Sequence, residues 1–221
     1  MTDALVDDSA PAVCSRSARH VLAALSLLLA VSAPLAHVDG PAAQAGVDSR
    51  SRLLTEGRMP AFRLQDPAGR WLTQSDFLGR WAIVFLGYTS CPDACPTTMT
   101  MLTQAFGELG GDADRVRALF VAIDPRRDRP EVLAAYLANF SPRITAGTGS
   151  MAQVETAARA FGMRFEIQGD PNSRTYTVDH SVTMLLFAPD GRFVSLVPGG
   201  TTAAELTAVL RKRFQTAVGG R

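Results

Sequence analysis

Cysteine and histidine are scarce in this chain, three of each in 221 residues, and beyond residue 40 only Cys91, Cys95 and His180 remain. No other imidazole is therefore available to complete a metal site in that part of the chain. Charge of either sign is also in short supply: 22 basic residues stand against 21 acidic ones, the net charge is +1, and Lys212 is the only lysine. Such a balance gives no overall field to recruit a polyanion, so nucleic acid is not an expected partner. There is no internal repeat and no low-complexity segment apart from one spacer. At 47% hydrophobic residues the chain can fill one core of roughly 150 residues plus appendages, and no second domain is expected.

The longest uncharged apolar run covers residues 21–36, behind Arg16, Arg19 and His20. Sixteen helical residues reach about 24 Å, short of a hydrocarbon core of roughly 30 Å, which fits a cleavable export signal; a short membrane anchor is the other reading. Ala33 and Ala36 would permit cleavage, yet no A-x-A site directly follows the run, and Ala43-Gln44-Ala45 stands well downstream. Either way the preceding positive charge predicts a cytoplasmic N-terminus and an exported C-terminal domain. Asp3, Asp7 and Asp8 argue against a mitochondrial transit peptide and point to a bacterial envelope. The expected organisation is a cytoplasmic segment 1–20, an anchor or signal 21–36, a flexible Gly/Ala/Ser/Pro linker 37–58 and a folded domain 59–217. Cys14 precedes the apolar run without a lipobox-like context and is read as a reduced cytoplasmic or discarded thiol.

Within the domain, strands are expected at 61–65, 71–73 and 81–88, the last a near-continuous apolar run suited to a central buried strand. A helix over 96–109 and a buried strand over 116–123 follow. Asp128-Arg129-Pro130-Glu131 reads as a capping box opening the next helix, and Ser150 with Gln153 opens another through Phe161. Segments 182–188 and 192–197 flank Pro189-Asp190-Gly191 as a hairpin, and Thr202 with Glu205 caps a last helix to about Phe214. This succession implies an α/β fold, a mixed central sheet with helices on both faces. It places the cysteines at the carboxyl end of a central strand, where ligand sites of open α/β sheets collect.

Two thiolates and an imidazole form a soft, mixed S/N ligand set that suits copper in either biological oxidation state, Cu(I) or Cu(II), and suits neither magnesium nor calcium. Two cysteines four apart on a regular helix hold their Cβ atoms about 5–6 Å apart, too far for a disulfide and well suited to a shared metal. Pro92 pushes Cys91 off the helix, however, leaving Cys95 at its start and slack for either state. Unpaired N–H groups at that helix start favour thiolate, which prepares metal binding and thiol exchange alike. His180, beside Asp179, is expected at the head of an apolar strand lying near strand 81–88; Asp179 either orients the ring or faces solvent. Asp124 and Arg126 are candidates for the same rim, Asp128 is accounted for by turn and cap chemistry, and Met99, Met101, Met163 and Met184 are read as core filler. A general thioredoxin-like reductase would carry C-x-x-C and a facing cis-Pro, and residues 178–183 contain no Pro. Residues 84–90 lack the Pro and Thr setting of a peroxidase on the same fold.

Three segments in order, 85–96 (Phe-Leu-Gly-Tyr-Thr-Ser-Cys-Pro-Asp-Ala-Cys-Pro), 124–128 (Asp-Pro-Arg-Arg-Asp) and 179–181 (Asp-His-Ser), resemble the Sco (SenC, PrrC) family of copper-binding, thioredoxin-like assembly proteins. The resemblance runs from about residue 59 to 214. It implies a thioredoxin-like fold and copper held by Cys91, Cys95 and His180. It also implies copper delivery or thiol reduction during assembly of the dinuclear copper (CuA) centre of cytochrome c oxidase. The implied partners are the copper-receiving oxidase subunit, a copper donor or thiol reductant, and the inner membrane through a single N-terminal anchor, with the soluble domain in the periplasm. Ser90 departs from the His often found before the first cysteine of the family, a position outside the three ligands.

Overall fold

Residues 57–218, Arg174 excepted, are described by a computed structural model. The apolar run of strand β3 (Trp81–Gly87) is buried at all seven positions. Successive side chains of a strand point to opposite faces, so burial at every position requires cover on both sides. β3 is the centre of a five-stranded sheet in the order β5-β4-β3-β8-β9. Strand β4 (Val116–Ala122) pairs parallel with β3, β5 (Ile144–Gly147) parallel with β4, β8 (Met184–Phe187) antiparallel with β3, and β9 (Phe193–Val197) antiparallel with β8. A separate antiparallel pair, β1 (Arg63–Gln65) and β2 (Trp71–Thr73), packs on one face, and a second ribbon, β6 (Phe165–Gln168) with β7 (Thr177–His180), stands outside the main sheet.

The two faces of the sheet carry separate cores. Trp81, Ile83 and Phe85 meet Met99, Leu102 and Phe106 of helix α1 (Ala94–Leu109), Leu133 of α2 (Pro130–Leu137), and Leu206, Leu210 and Phe214 of α4 (Ala203–Val218). Ala82, Val84 and Leu86 meet Leu64, Phe77, and Val154, Ala157 and Ala158 of α3 (Met151–Ala160), together with Tyr176 and Val178 from the second ribbon. Helices thus cover both faces of a mixed sheet, as the alternation of apolar runs implies.

The local signals that held are those with a hydrogen-bond mechanism. Ser150 accepts from the Gln153 N–H while Gln153 Oε1 accepts from the Ser150 N–H, and Thr202 and Glu205 exchange the equivalent pair. The β8–β9 hairpin turns at Gly191, whose φ of 81° favours glycine. One signal did not hold: α2 starts at Pro130 with Arg129 at its N-cap and no side-chain cap. Asp128 is turned inward instead, to donors described below. A second difference concerns His180, which closes β7 rather than opening β8, so Ser181, Val182 and Thr183 separate it from the strand that pairs with β3.

The chain is tied to the sheet just before Met59: the Gly57 carbonyl accepts from the Phe193 N–H at 2.6 Å and Arg58 bridges Arg192. The expected cytoplasmic segment 1–20, the anchor or signal 21–36 and nearly all of the linker 37–58 lie outside the described residues. Among the described residues no helix is long and apolar enough to cross a membrane.

Candidate metal centre

β3 delivers the chain to the site through Tyr88, and the loop Thr89–Asp93 returns it into α1. Cys91 lies on that loop, partly exposed, with its N–H donating to the Tyr88 carbonyl at 3.2 Å; Cys95 lies in the first turn of α1 and is 2% exposed. Both are free thiols, and the Cys95 N–H points at Cys91 Sγ at 3.5 Å. Partial burial pushes the Cys91 thiol up, but the backbone N–H groups of Asp93, Cys95 and Ala94 outweigh it and hold its pKa below the ordinary value. These are unpaired donors of the helix start. Cys95 goes the other way: burial, reinforced by neighbouring Cys91 and the Asp128 charge, drives its pKa far above the ordinary thiol value.

His180 arrives from the opposite side, on the end of β7. Its Nε2 lies 3.4 Å from Cys95 Sγ and its Nδ1 lies 3.1 Å from the Ser181 carbonyl oxygen. A carbonyl only accepts, so that contact places the proton on Nδ1 and leaves the Nε2 lone pair facing the sulfur, the tautomer a metal ligand needs. The ring stands edge-on to Tyr88, centroids 6.0 Å apart at 87°. Asp179 is exposed and does not orient the ring; the Ser181 carbonyl has that position.

Cys91 Sγ, Cys95 Sγ and a His180 nitrogen all lie within 4.8 Å of one another, so the three side chains could hold one metal ion. The donor set is soft and needs only proton loss from the thiols to present two thiolates and a neutral imidazole. Met99, Met163 and Met184 are buried in the cores and Met101 packs against one of them, in line with their reading as filler.

Several contributors fall within segments 85–96 and 124–128, although the sequence does not mark them as supports of the thiols. Gly87 is one: a Cβ there would press on the edge of the Phe120 ring and lie 2.9 Å from Cys95 Sγ, so only hydrogen fits between β3 and the thiol. Asp128, 1% exposed, accepts from the Thr89 N–H at 3.0 Å and from its hydroxyl at 2.6 Å, anchoring the cysteine loop. Asp128 Oδ2 and the Tyr136 hydroxyl are buried without a hydrogen-bond partner. Asp124, a rim candidate, is 1% exposed and faces inward: it accepts from the Tyr176 hydroxyl at 2.6 Å and from Arg127 Nε. Arg126 reaches the Pro171 carbonyl at 3.1 Å. Neither residue touches the thiols directly. The one available signal was Asp124-Pro-Arg-Arg-Asp128 directly after a buried strand, which marks a rim without saying what its members hold.

The SCO1/SenC family pattern matches residues 52–215. The Bos taurus mitochondrial SCO2 homologue is 32% identical over 155 residues, 69% of this chain and 58% of that protein. Schizosaccharomyces pombe sco1 is 33% identical over 153 residues, 68% of this chain and 58% of its own length. The chain thus spans less than two thirds of the curated relatives it matches. Among solved structures, Bradyrhizobium japonicum ScoI with copper bound is similar with a TM-score of 0.63 and 32% identity, covering 69% of this chain and 96% of that one. The fold is accordingly thioredoxin-like, and the chain belongs to the SCO1/SenC family.

Proposed function

We propose that the protein is a copper metallochaperone that carries one copper ion on Cys91, Cys95 and His180 and hands it on during assembly of the CuA centre of cytochrome c oxidase. The observation that carries the reading is the convergence of two thiols and an imidazole within 4.8 Å, at the end of a buried central strand. A relative of this fold, ScoI of Bradyrhizobium japonicum, has been solved with copper bound, which supports copper as the cargo. Thiolates and imidazole bind Cu(I) and Cu(II), so the same trio serves in either oxidation state. Cys91, partly exposed, is the ligand an acceptor can reach first, while buried Cys95 retains the ion. The proposed setting is the bacterial envelope, with residues 21–36 as anchor or signal, the domain on the periplasmic side, and the copper-receiving oxidase subunit as partner.

His180→Ala tests this. Copper titration of the reduced protein should give one tightly bound ion for wild type and an affinity lower by about a hundredfold or more for the variant, since even changes outside the ligand shell cost 10–100-fold. Equal binding by both would remove the central claim.

A second reading, a dedicated thiol-disulfide oxidoreductase, is favoured by one observation: the unequal thiols. In it the Cys91 thiolate attacks a partner disulfide, forming a mixed disulfide and expelling one partner thiolate. Cys95, its proton taken by His180 Nε2 3.4 Å away, then attacks Cys91 Sγ and releases the second partner sulfur. Two electrons pass to the partner and Cys91–Cys95 is left oxidised. Loss of dithiol exchange with the partner in a variant that still transfers copper would separate the two readings.

A further inference from the structure

The ribbon that carries His180 shares no ladder with the five-stranded sheet. It is held by side chains. On β7 and the residue before it, Tyr176, Val178 and His180 share one face because strand side chains alternate, and Thr177 and Asp179 on the other face are exposed. All three inward residues meet the body: Tyr176 reaches Asp124, the Val178 N–H donates to the Tyr88 hydroxyl at 3.4 Å, and His180 reaches Cys95. Tyr176 is the most heavily engaged. Its hydroxyl donates to Asp124, its carbonyl accepts from Arg127 Nη1 at 2.9 Å, and the Arg127 guanidinium lies 3.6 Å over its ring while Arg127 Nε donates to the other Asp124 oxygen.

Asp124 and Arg127 belong to one turn directly after β4, closed by the Arg127 and Asp128 N–H groups on the Asp124 carbonyl at 3.1 and 2.8 Å. The same turn supplies Asp128 to Thr89. A single turn therefore grips the loop of Cys91 on one side and the ribbon of His180 on the other, although it contributes no ligand itself.

We infer that Asp124, Arg127 and Tyr176 form a latch that docks the β6–β7 ribbon on the sheet and so sets His180 against the two thiols. These are positioning residues for the imidazole. From Tyr176 to His180 the extended chain covers about 13 Å at roughly 3.3 Å per residue, so a tilt of the ribbon at the latch moves the ring away from Cys95 while leaving the cysteine loop in place. The consequence for copper rests on the function proposed above; the docking of the ribbon does not.

Tyr176→Phe keeps the ring and deletes the hydroxyl bond to Asp124, and Arg126→Ala removes only the exposed clamp on Pro171. In the metal-free full-length protein, hydrogen exchange of the Val178 amide and its β6–β7 neighbours should rise about tenfold in Tyr176→Phe and a few-fold in Arg126→Ala, with β3 and β4 amides unchanged. Unchanged ribbon exchange in Tyr176→Phe, or an equal rise throughout the sheet, would overturn the latch. With copper, Tyr176→Phe should weaken binding about tenfold in the wild-type background and not at all in His180→Ala, because coupling vanishes once the ligand it acts through is gone. Equal weakening in both backgrounds would also overturn it. If wild type bound no copper, the proposed function would fail while the exchange data still decided the latch.

Discussion

Asp128 shows how a residue that reads as a helix cap can work on the site instead. Its carboxylate is buried, shares one oxygen with both donors of Thr89 and keeps the other without a partner. Burial, with the Asp124 charge added, raises its pKa to about 6 against the pull of the Thr89 donors and Arg127. An acid that holds its proton more tightly folded than unfolded costs stability as pH climbs from the unfolded value near 4 to the folded value near 6. Two units correspond to about 3 kcal/mol. Asp128→Asn keeps an acceptor for Thr89 and removes the charge. Its unfolding free energy relative to wild type should therefore rise by about 2 kcal/mol between pH 4 and pH 7 in denaturant titrations. A difference that stays constant with pH would contradict this account of the residue.

Among the elements, the start of α1 divides the labour between the two thiols. The N–H groups of Asp93, Ala94 and Cys95 surround Cys91, whereas Cys95 has turned into the core one helical turn further on. Alkylation by iodoacetamide near pH 7.5, followed by peptide mass spectrometry, should label Cys91 at least about ten times faster than Cys95 in the folded, metal-free protein. In denaturant the two rates should converge. Faster labelling of Cys95 would mean the helix start does not set their order. The placement of Cys91 on a loop and Cys95 at the helix start was legible in the sequence, because Pro92 and the apolar run before it dictate a loop then a helix; the burial that raises the Cys95 thiol, against the thiolate expected at a helix start, was not. Also legible was the grouping of the three residues that could hold a metal ion, since the domain has no other Cys or His. Less legible was how His180 reaches the thiols. Phe165–Gln168 and Thr177–His180 are four-residue strands half exposed along their length, without the continuous apolar run that marks β3, and only their mutual pairing defines them. Ile144–Gly147 likewise owes its strand character to β4 beside it. The contacts of Asp124 with Tyr176 and of Asp128 with Thr89 span 52 and 39 residues, and no local pattern encodes them.

At the scale of the whole molecule, the sheet separates two cores, and the site lies beyond the carboxyl ends of its parallel strands β3 and β4. β3 brings the cysteines there, the turn after β4 braces them, and the ribbon brings the imidazole. No net charge directs this arrangement, since the chain carries only +1. The central claim is that one copper sits on two sulfurs and one nitrogen supplied from these separate elements. Copper K-edge X-ray absorption of the Cu(I)-loaded protein tests it most directly. The account predicts two sulfur scatterers near the roughly 2.3 Å typical of metal thiolates plus one imidazole nitrogen that disappears in His180→Ala. A spectrum with sulfur alone, unchanged by His180→Ala, would contradict it.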